Sequence, residues 1–147
     1  MAVLNKEYRS LVSAIQTDCI VMPSIEEITQ SKQLRYTEIK SMVWDTGATN
    51  TLVSSQVVEA LGLVPLEKSL VEGVGGIIES SVYEISIYLA DNIVFKNVKV
   101  LCSDIGDYDL VVGMDIIAQG DFVISNNKGQ VCFSFRYPSK DKIILDA

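Results

Sequence analysis

Val43-Trp44-Asp45-Thr46-Gly47-Ala48-Thr49 begins as an apolar run and turns abruptly polar and small. The approach, from Leu34 to Trp44, reads as a strand that becomes apolar at Met42-Val43-Trp44. Asp45, Gly47 and Asn50 then supply turn chemistry directly behind a buried strand. A helix is expected from Ser55 to Leu61. Ser54 or Ser55 caps it, Val57, Val58 and Leu61 share a face, and Gly62 ends it. By itself an Asp-Thr-Gly triplet signifies no more than a capped turn, because Asp and Gly are common turn residues.

Two further stretches lie downstream of the loop. Residues 68–89 read as a hairpin whose tip is Gly73-Val74-Gly75-Gly76, with Ile85, Ile87 and Leu89 alternating on the return strand. Leu110-Val111-Val112 reads as a short buried strand ending at Gly113, followed by a helix from Met114 to Gln119 that stops at Gly120.

Around these, residues 10–17 alternate like a strand that extends through 18–22 and is broken at Pro23. Residues 24–33 read as a surface loop or short helical turn, 93–102 as a strand, and 121–125 with 130–136 as a hairpin about Asn126–Gly129. Residues 1–10 do not resemble a signal peptide. The motif-bearing core spans about 10–137 of a single domain covering 1–147, with 138–147 read as a tail or, through Ile143-Ile144-Leu145, an interface strand. Many short strands and one or two short helices make an all-β class.

Composition narrows the chemistry. With 147 residues, 48% apolar and 21% charged, the chain can bury a core without disulfides or metals. A net charge of −7 offers no basic stripe for nucleic acid and no polybasic segment for membranes. Histidine is absent, which removes Ser-His-Asp and Cys-His catalysis within one chain. Cys19, Cys102 and Cys132 form no C-x-x-C pair, so a zinc site is not expected and free thiols in a reducing compartment are. No apolar run reaches a membrane span, and a cytoplasmic location is the expectation. Asp104, Asp107 and Asp109 lack the register of a calcium loop and read as a solvated turn.

The three stretches, in this order, resemble the retropepsin-like aspartic proteases, and the cellular members more than the viral ones. The likeness covers about residues 43–120. It implies a retropepsin-like barrel with one lobe per chain, and an endopeptidase needing no metal and no cofactor. Asp45 would be the catalytic carboxylate. Thr46 would bond across a two-fold axis, Gly47 would bring backbone near substrate, and Ala48 would line the cleft. Gly73, Val74, Gly75 and Gly76 would form a flap over bound peptide, while Val112 and Gly113 pack behind the catalytic loop.

One carboxylate cannot act as general acid and general base at once. Asp104-Ile105-Gly106 lacks the hydroxyl residue and the surroundings of a second site. The partner carboxylate is therefore expected from Asp45 of a second copy, in a homodimer acting on peptide or protein. Viral relatives pair an acid at the position of Thr49 with an arginine at that of Met114, so that ion pair is absent here. The rival reading is a catalytically weak peptide-binding or dimerisation module of the same fold.

Overall fold

The computed structural model describes residues 1–73, 75–90 and 92–147. In chain order the elements are β1 (Ala2–Glu7), β2 (Ile15–Pro23), α1 (Ile25–Ser31), β3 (Thr37–Trp44), β4 (Leu52–Val53), α2 (Ser55–Leu61), β5 (Glu67–Gly73), β6 (Gly76–Ala90), β7 (Ile93–Cys102), β8 (Leu110–Val112), α3 (Met114–Ile117), β9 (Asp121–Asn127) and β10 (Gln130–Tyr137). The protein is mostly β, as its β-branched and aromatic content implies. Short helices number three among the described residues; over 24–33, read as a surface loop or short helical turn, Ser24 accepts the Glu27 N–H at 3.1 Å and the helical alternative forms as α1. No described helix is long and apolar enough to cross a membrane.

Six strands close into a barrel in the order β2-β3-β8-β4-β7-β6, with β6 returning to pair with β2. Strand β5 extends β6 outward as a hairpin arm. Most pairs are antiparallel, but β3 with β8 and β4 with β7 run parallel. Ile85, Ile87 and Leu89 point inward from β6 and are almost wholly buried, as their alternation requires. A separate sheet, β1-β10-β9, closes over one side of the barrel. Its β9–β10 turn places Lys128 and Gly129 at φ of 54° and 85°, both left-handed, which suits a two-residue hairpin.

The two sheets meet around Trp44. Its ring lies 4.9 Å from Phe135, 5.1 Å from Phe133 and 5.9 Å from Phe122, all tilted. Such contacts add about 0.5–1.5 kcal/mol each beyond area burial. The indole N–H, buried in this cluster, donates to the Thr17 hydroxyl at 2.9 Å, so its one polar atom is satisfied.

Several boundaries differ from the sequence reading. Strand β2 begins at Ile15 rather than residue 10, because the Tyr8 hydroxyl takes the place of a strand partner. It donates to Gln16 O at 2.6 Å and accepts from Gln16 N at 3.0 Å, which folds residues 8–14 into a loop. Strand β3 starts at Thr37 rather than Leu34, and α3 ends at Ile117 rather than Gln119. Strands β1 and β4 were not expected: β4 is two residues long, and β1 gains its order by pairing with β10 from Ala2↔Tyr137 to Glu7↔Cys132. All three cysteines are free. Cys19 is buried, and burial pushes its thiol up to about 12, whereas Cys102 and Cys132 are half-buried.

Past β10 the chain is fastened at residues 139–140. The Asp121 carboxylate accepts from Lys140 N–H at 3.0 Å, from the Ser139 hydroxyl and from Arg136 Nε at 2.8 Å. Led by the Lys140 N–H, these donors draw its pKa from 3.8 to about 2. Ile143, Ile144 and Leu145 beyond this point are exposed. A folded pKa below the unfolded one gives stability that is complete above the unfolded value and lost as pH falls through the folded one. The wild type should therefore lose more stability than Asp121→Asn as pH falls from 3.8 to about 2, measured by denaturant unfolding at each pH.

Candidate active site

The loop after β3 is held by backbone before any side chain is considered. Asp45 N–H donates to Val112 O at 2.9 Å, continuing the parallel β3–β8 ladder by one bond. Ala48 N–H donates to Asp45 O at 3.2 Å and closes the turn. Met114 N–H then donates to Ala48 O at 2.8 Å, and Asp115 N–H to Thr49 O at 3.3 Å. The first turn of α3 thus supplies donors to the carbonyls of the loop, which satisfies amide groups that a helix start otherwise leaves open.

This approach requires Gly113. A Cβ there would stand 2.7 Å from both Ala48 O and Asn50 O, and both obstacles are backbone. Beneath it lies a polar brace. The Thr51 hydroxyl donates to Asp115 Oδ1 at 2.8 Å and accepts from Gly113 N–H at 3.2 Å, while Thr51 N–H donates to Asp115 Oδ2 at 3.0 Å. Ile116 N–H adds a further donor to Asp115 Oδ1 at 3.0 Å. Asp115 therefore bonds backbone beside it rather than capping α3, whose N-cap is Gly113 with no side-chain bond.

A second carboxylate braces β3 at Ser41, within the strand. Asp109 Oδ2 accepts from the Ser41 hydroxyl and Oδ1 from the Ser54 hydroxyl, each at 2.9 Å. Ser54 also caps α2 by accepting the Val57 N–H at 3.3 Å. Sequence reasoning missed Thr51 and Ser41, and read Ser54 as a helix cap without its bond to Asp109. A lone serine or threonine carries no such signal until the fold brings the carboxylate to it.

Asp45, Thr46 and Gly47 sit exposed at the top of this scaffold, with Ala48 partly covered. Asp45 Oδ1 accepts the Gly47 N–H at 2.8 Å, which orients the carboxylate and leaves Oδ2 open. A Cβ on Gly47 would meet that same Oδ1 at 3.1 Å. Among the described residues the Thr46 hydroxyl has no partner, and the two carboxylates behind the loop, Asp109 and Asp115, are committed to the bonds above. The structure therefore brings Asp45, Thr46, Gly47, Ala48, Val112 and Gly113 together.

The glycine-rich tip stands apart from this group, at the end of the β5–β6 arm. Gly73 pairs with Gly76, which has φ of 110°, a conformation that favours glycine. Val74 lies outside the described residues. Asp104-Ile105-Gly106 is a surface turn in which Gly106 N–H donates to Asp104 Oδ1 at 3.1 Å, in keeping with the solvated reading. No group of three metal-ligating side chains occurs among the described residues. A cavity of about 580 Å³ opens between β2, β3, β6 and β7 beside Ile20 and Leu89, and Asp45 does not line it.

Gly113→Ala should lower stability by at least about 1–3 kcal/mol, the cost of forcing a methyl against fixed backbone, measured by chemical denaturation. Unchanged stability would mean that the loop and α3 do not approach as closely as described.

The model of the gag-polyprotein putative aspartyl protease family matches residues 37–119, more than half of the chain. Among solved structures, a retropepsin-like aspartic protease from Rickettsia conorii aligns with a TM-score of 0.54 at 14% identity, covering 91% of this chain and 93% of that one. That likeness is one of fold. The EIAV protease aligns at 18% identity and a TM-score of 0.49, covering 74% of this chain and 88% of that one. The retroviral protease-like domain of Ddi1 from Leishmania major aligns at 17% identity and 0.47, covering 84% and 95%. At these scores the last two carry no argument. No curated protein matches the chain. The matched segment runs from β3 through α3 and contains both the Asp45 loop and the Gly113 approach, and the chain belongs to the gag-polyprotein putative aspartyl protease family, with a retropepsin-like fold.

Proposed function

We propose that the protein is an aspartic endopeptidase in which Asp45 of each of two copies forms one catalytic dyad. The observation that carries this is the Asp45 carboxylate itself. It is exposed on a loop cross-braced by α3, with one oxygen fixed by Gly47 and the other open. Membership of an aspartyl protease family supports the chemistry. The commitment of Asp109 and Asp115 to other partners supports a second chain as the source of the second carboxylate. The unpartnered, exposed Thr46 hydroxyl suits a bond across the two-fold axis.

Two carboxylates sharing one site hold a single proton, because both cannot ionise cheaply at such range. The ionised Asp45 takes a proton from water as the water oxygen attacks the peptide carbonyl carbon. The protonated Asp45 gives its proton to the carbonyl oxygen, producing a tetrahedral diol. In collapse, the first carboxyl passes its proton to the leaving amide nitrogen, the C–N bond breaks, and the second carboxylate recovers a proton from a diol hydroxyl. The dyad ends as it began and titrates as a unit. The β5–β6 arm, with Gly73, Val74, Gly75 and Gly76 at its tip, would serve as the flap. It would close over an extended peptide and pair with its backbone. Substrate subsites would be mainly apolar. The domain is taken as one unit over 1–147.

Asp45→Asn should abolish cleavage of unfolded or peptide substrates while leaving the unfolding midpoint close to that of the parent, since the residue is exposed. Equal cleavage by the variant would sink the assignment. Sedimentation should show a dimer under the conditions of activity; full activity from a species that remains monomeric would exclude the shared dyad. A transition-state-mimicking inhibitor should stabilise the wild type and not Asp45→Asn, the result that separates an enzyme from a module that only binds peptide.

A further inference from the structure

Strand β7 carries an irregularity with a consequence for charge. Ile85 pairs with Val98 and Ile87 with Phe95, so the single residue Ser86 on β6 faces two residues, Lys96 and Asn97, on β7. This is a β-bulge, and Asn97 is the extra residue, at φ of 55°. The left-handed conformation is held from two sides. Asn97 N–H donates to the Ser86 hydroxyl at 3.4 Å, and Ile25 N–H donates to Asn97 Oδ1 at 3.3 Å. In a regular strand, side chains three residues apart point to opposite faces. The inserted Asn97 restores Lys99 to the face of Lys96, while Phe95 and Val100 stay buried on the other.

Both lysines line a cavity of about 430 Å³ between β7, α3 and the end of β10. Asn50 and Gln119 line it too, with Phe95 and Tyr137, whose rings are 4.5 Å apart. Among the described residues neither lysine has an ion-pair or hydrogen-bond partner, although Glu84 is the cross-strand neighbour of Lys99. Asp115 is the acid in the lining, and its oxygens already accept three donors from the chain. Two lysines without a partner among the described residues therefore line one concave site in a protein of net charge −7.

We infer that this cavity binds a small aromatic phosphate. Two point charges without a guanidinium fork suit a phosphate dianion, which is approached from several directions, better than a planar carboxylate. The Asn50 amide supplies further donors, Gln119 Nε2 already donates one hydrogen to Asp115 O at 2.8 Å, and the half-buried Tyr137 ring offers aromatic surface beside the buried Phe95. The volume is that of a small-ligand pocket. Asn50 closes the loop that begins at Asp45, so an occupied pocket would bear on that loop from behind. The inference stands on the bulge and the lysines and does not require proteolytic activity.

Titration of the full chain with phenyl phosphate, followed by amide chemical shifts, tests it. Saturable shifts are expected at Asn50, Lys96, Lys99 and Gln119, with affinity weakened by added salt. Lys96→Ala combined with Lys99→Ala should weaken binding at least about tenfold, the loss of charge-assisted contacts, with an unchanged unfolding midpoint because both side chains are exposed. No saturation up to the solubility limit, or equal binding by the double variant, would overturn the site. Equal affinity for benzyl alcohol would overturn the anionic class, and equal affinity for inorganic phosphate the aromatic one.

Discussion

Gly113 governs the centre of this molecule. Only a hydrogen at its α-carbon lets α3 press its first amides onto Ala48 O and Thr49 O, because any side chain would meet two backbone oxygens at 2.7 Å. Once that distance is fixed, the rest follows locally. Met114 and Asp115 bind the loop from below, Thr51 fills the space between Gly113 N–H and the Asp115 carboxylate, and Asp45 is left at the top with its backbone tied to Val112. A loop of this composition would ordinarily be mobile. Here backbone bonds to Val112, Met114 and Asp115 tie it down, and the Gly47 N–H sets the direction of the Asp45 carboxylate.

The brace is polar, and polar braces depend on completeness. No buried side-chain nitrogen or oxygen among the described residues lacks a partner. Asp115, Asp109 and Thr51 would each be costly with one bond missing, since a half-satisfied buried network is worse than an apolar one. The aromatic cluster about Trp44 does the complementary work. It joins the β1-β10-β9 sheet to the barrel just below the loop, so the strand that ends at Asp45 is clamped on the apolar side by Phe122, Phe133 and Phe135. Rigid support below leaves the Asp45 carboxylate exposed above with one oxygen held by Gly47 N–H.

The bulge at Asn97 applies the same economy to charge. One extra residue changes which face a lysine occupies, and so turns two unremarkable surface cations into a paired feature of one cavity. Neither spacing nor composition signals this, because Lys96 and Lys99 three apart in a strand read as opposite faces.

Sequence alone determined the elements whose cause is local. The Ser54 cap and Gly62 stop define α2, the alternation of Ile85, Ile87 and Leu89 defines the inward face of β6, and the apolar run into Asp45-Thr46-Gly47 marks the loop, since each signal lies within a few residues of its effect. The all-β class and the retropepsin-like fold were legible by the same route, through three ordered stretches. Tertiary structure decided what depends on distant partners. Strand β1 exists because β10 is there to pair with it, β2 starts late because Tyr8 reaches Gln16, and Asp115 serves Thr51, 64 residues away in the chain, as well as the Ile116 N–H beside it. A hydrogen bond or register shift between remote residues leaves no periodicity to read, so these features appear only once the barrel has closed and brought the partners together.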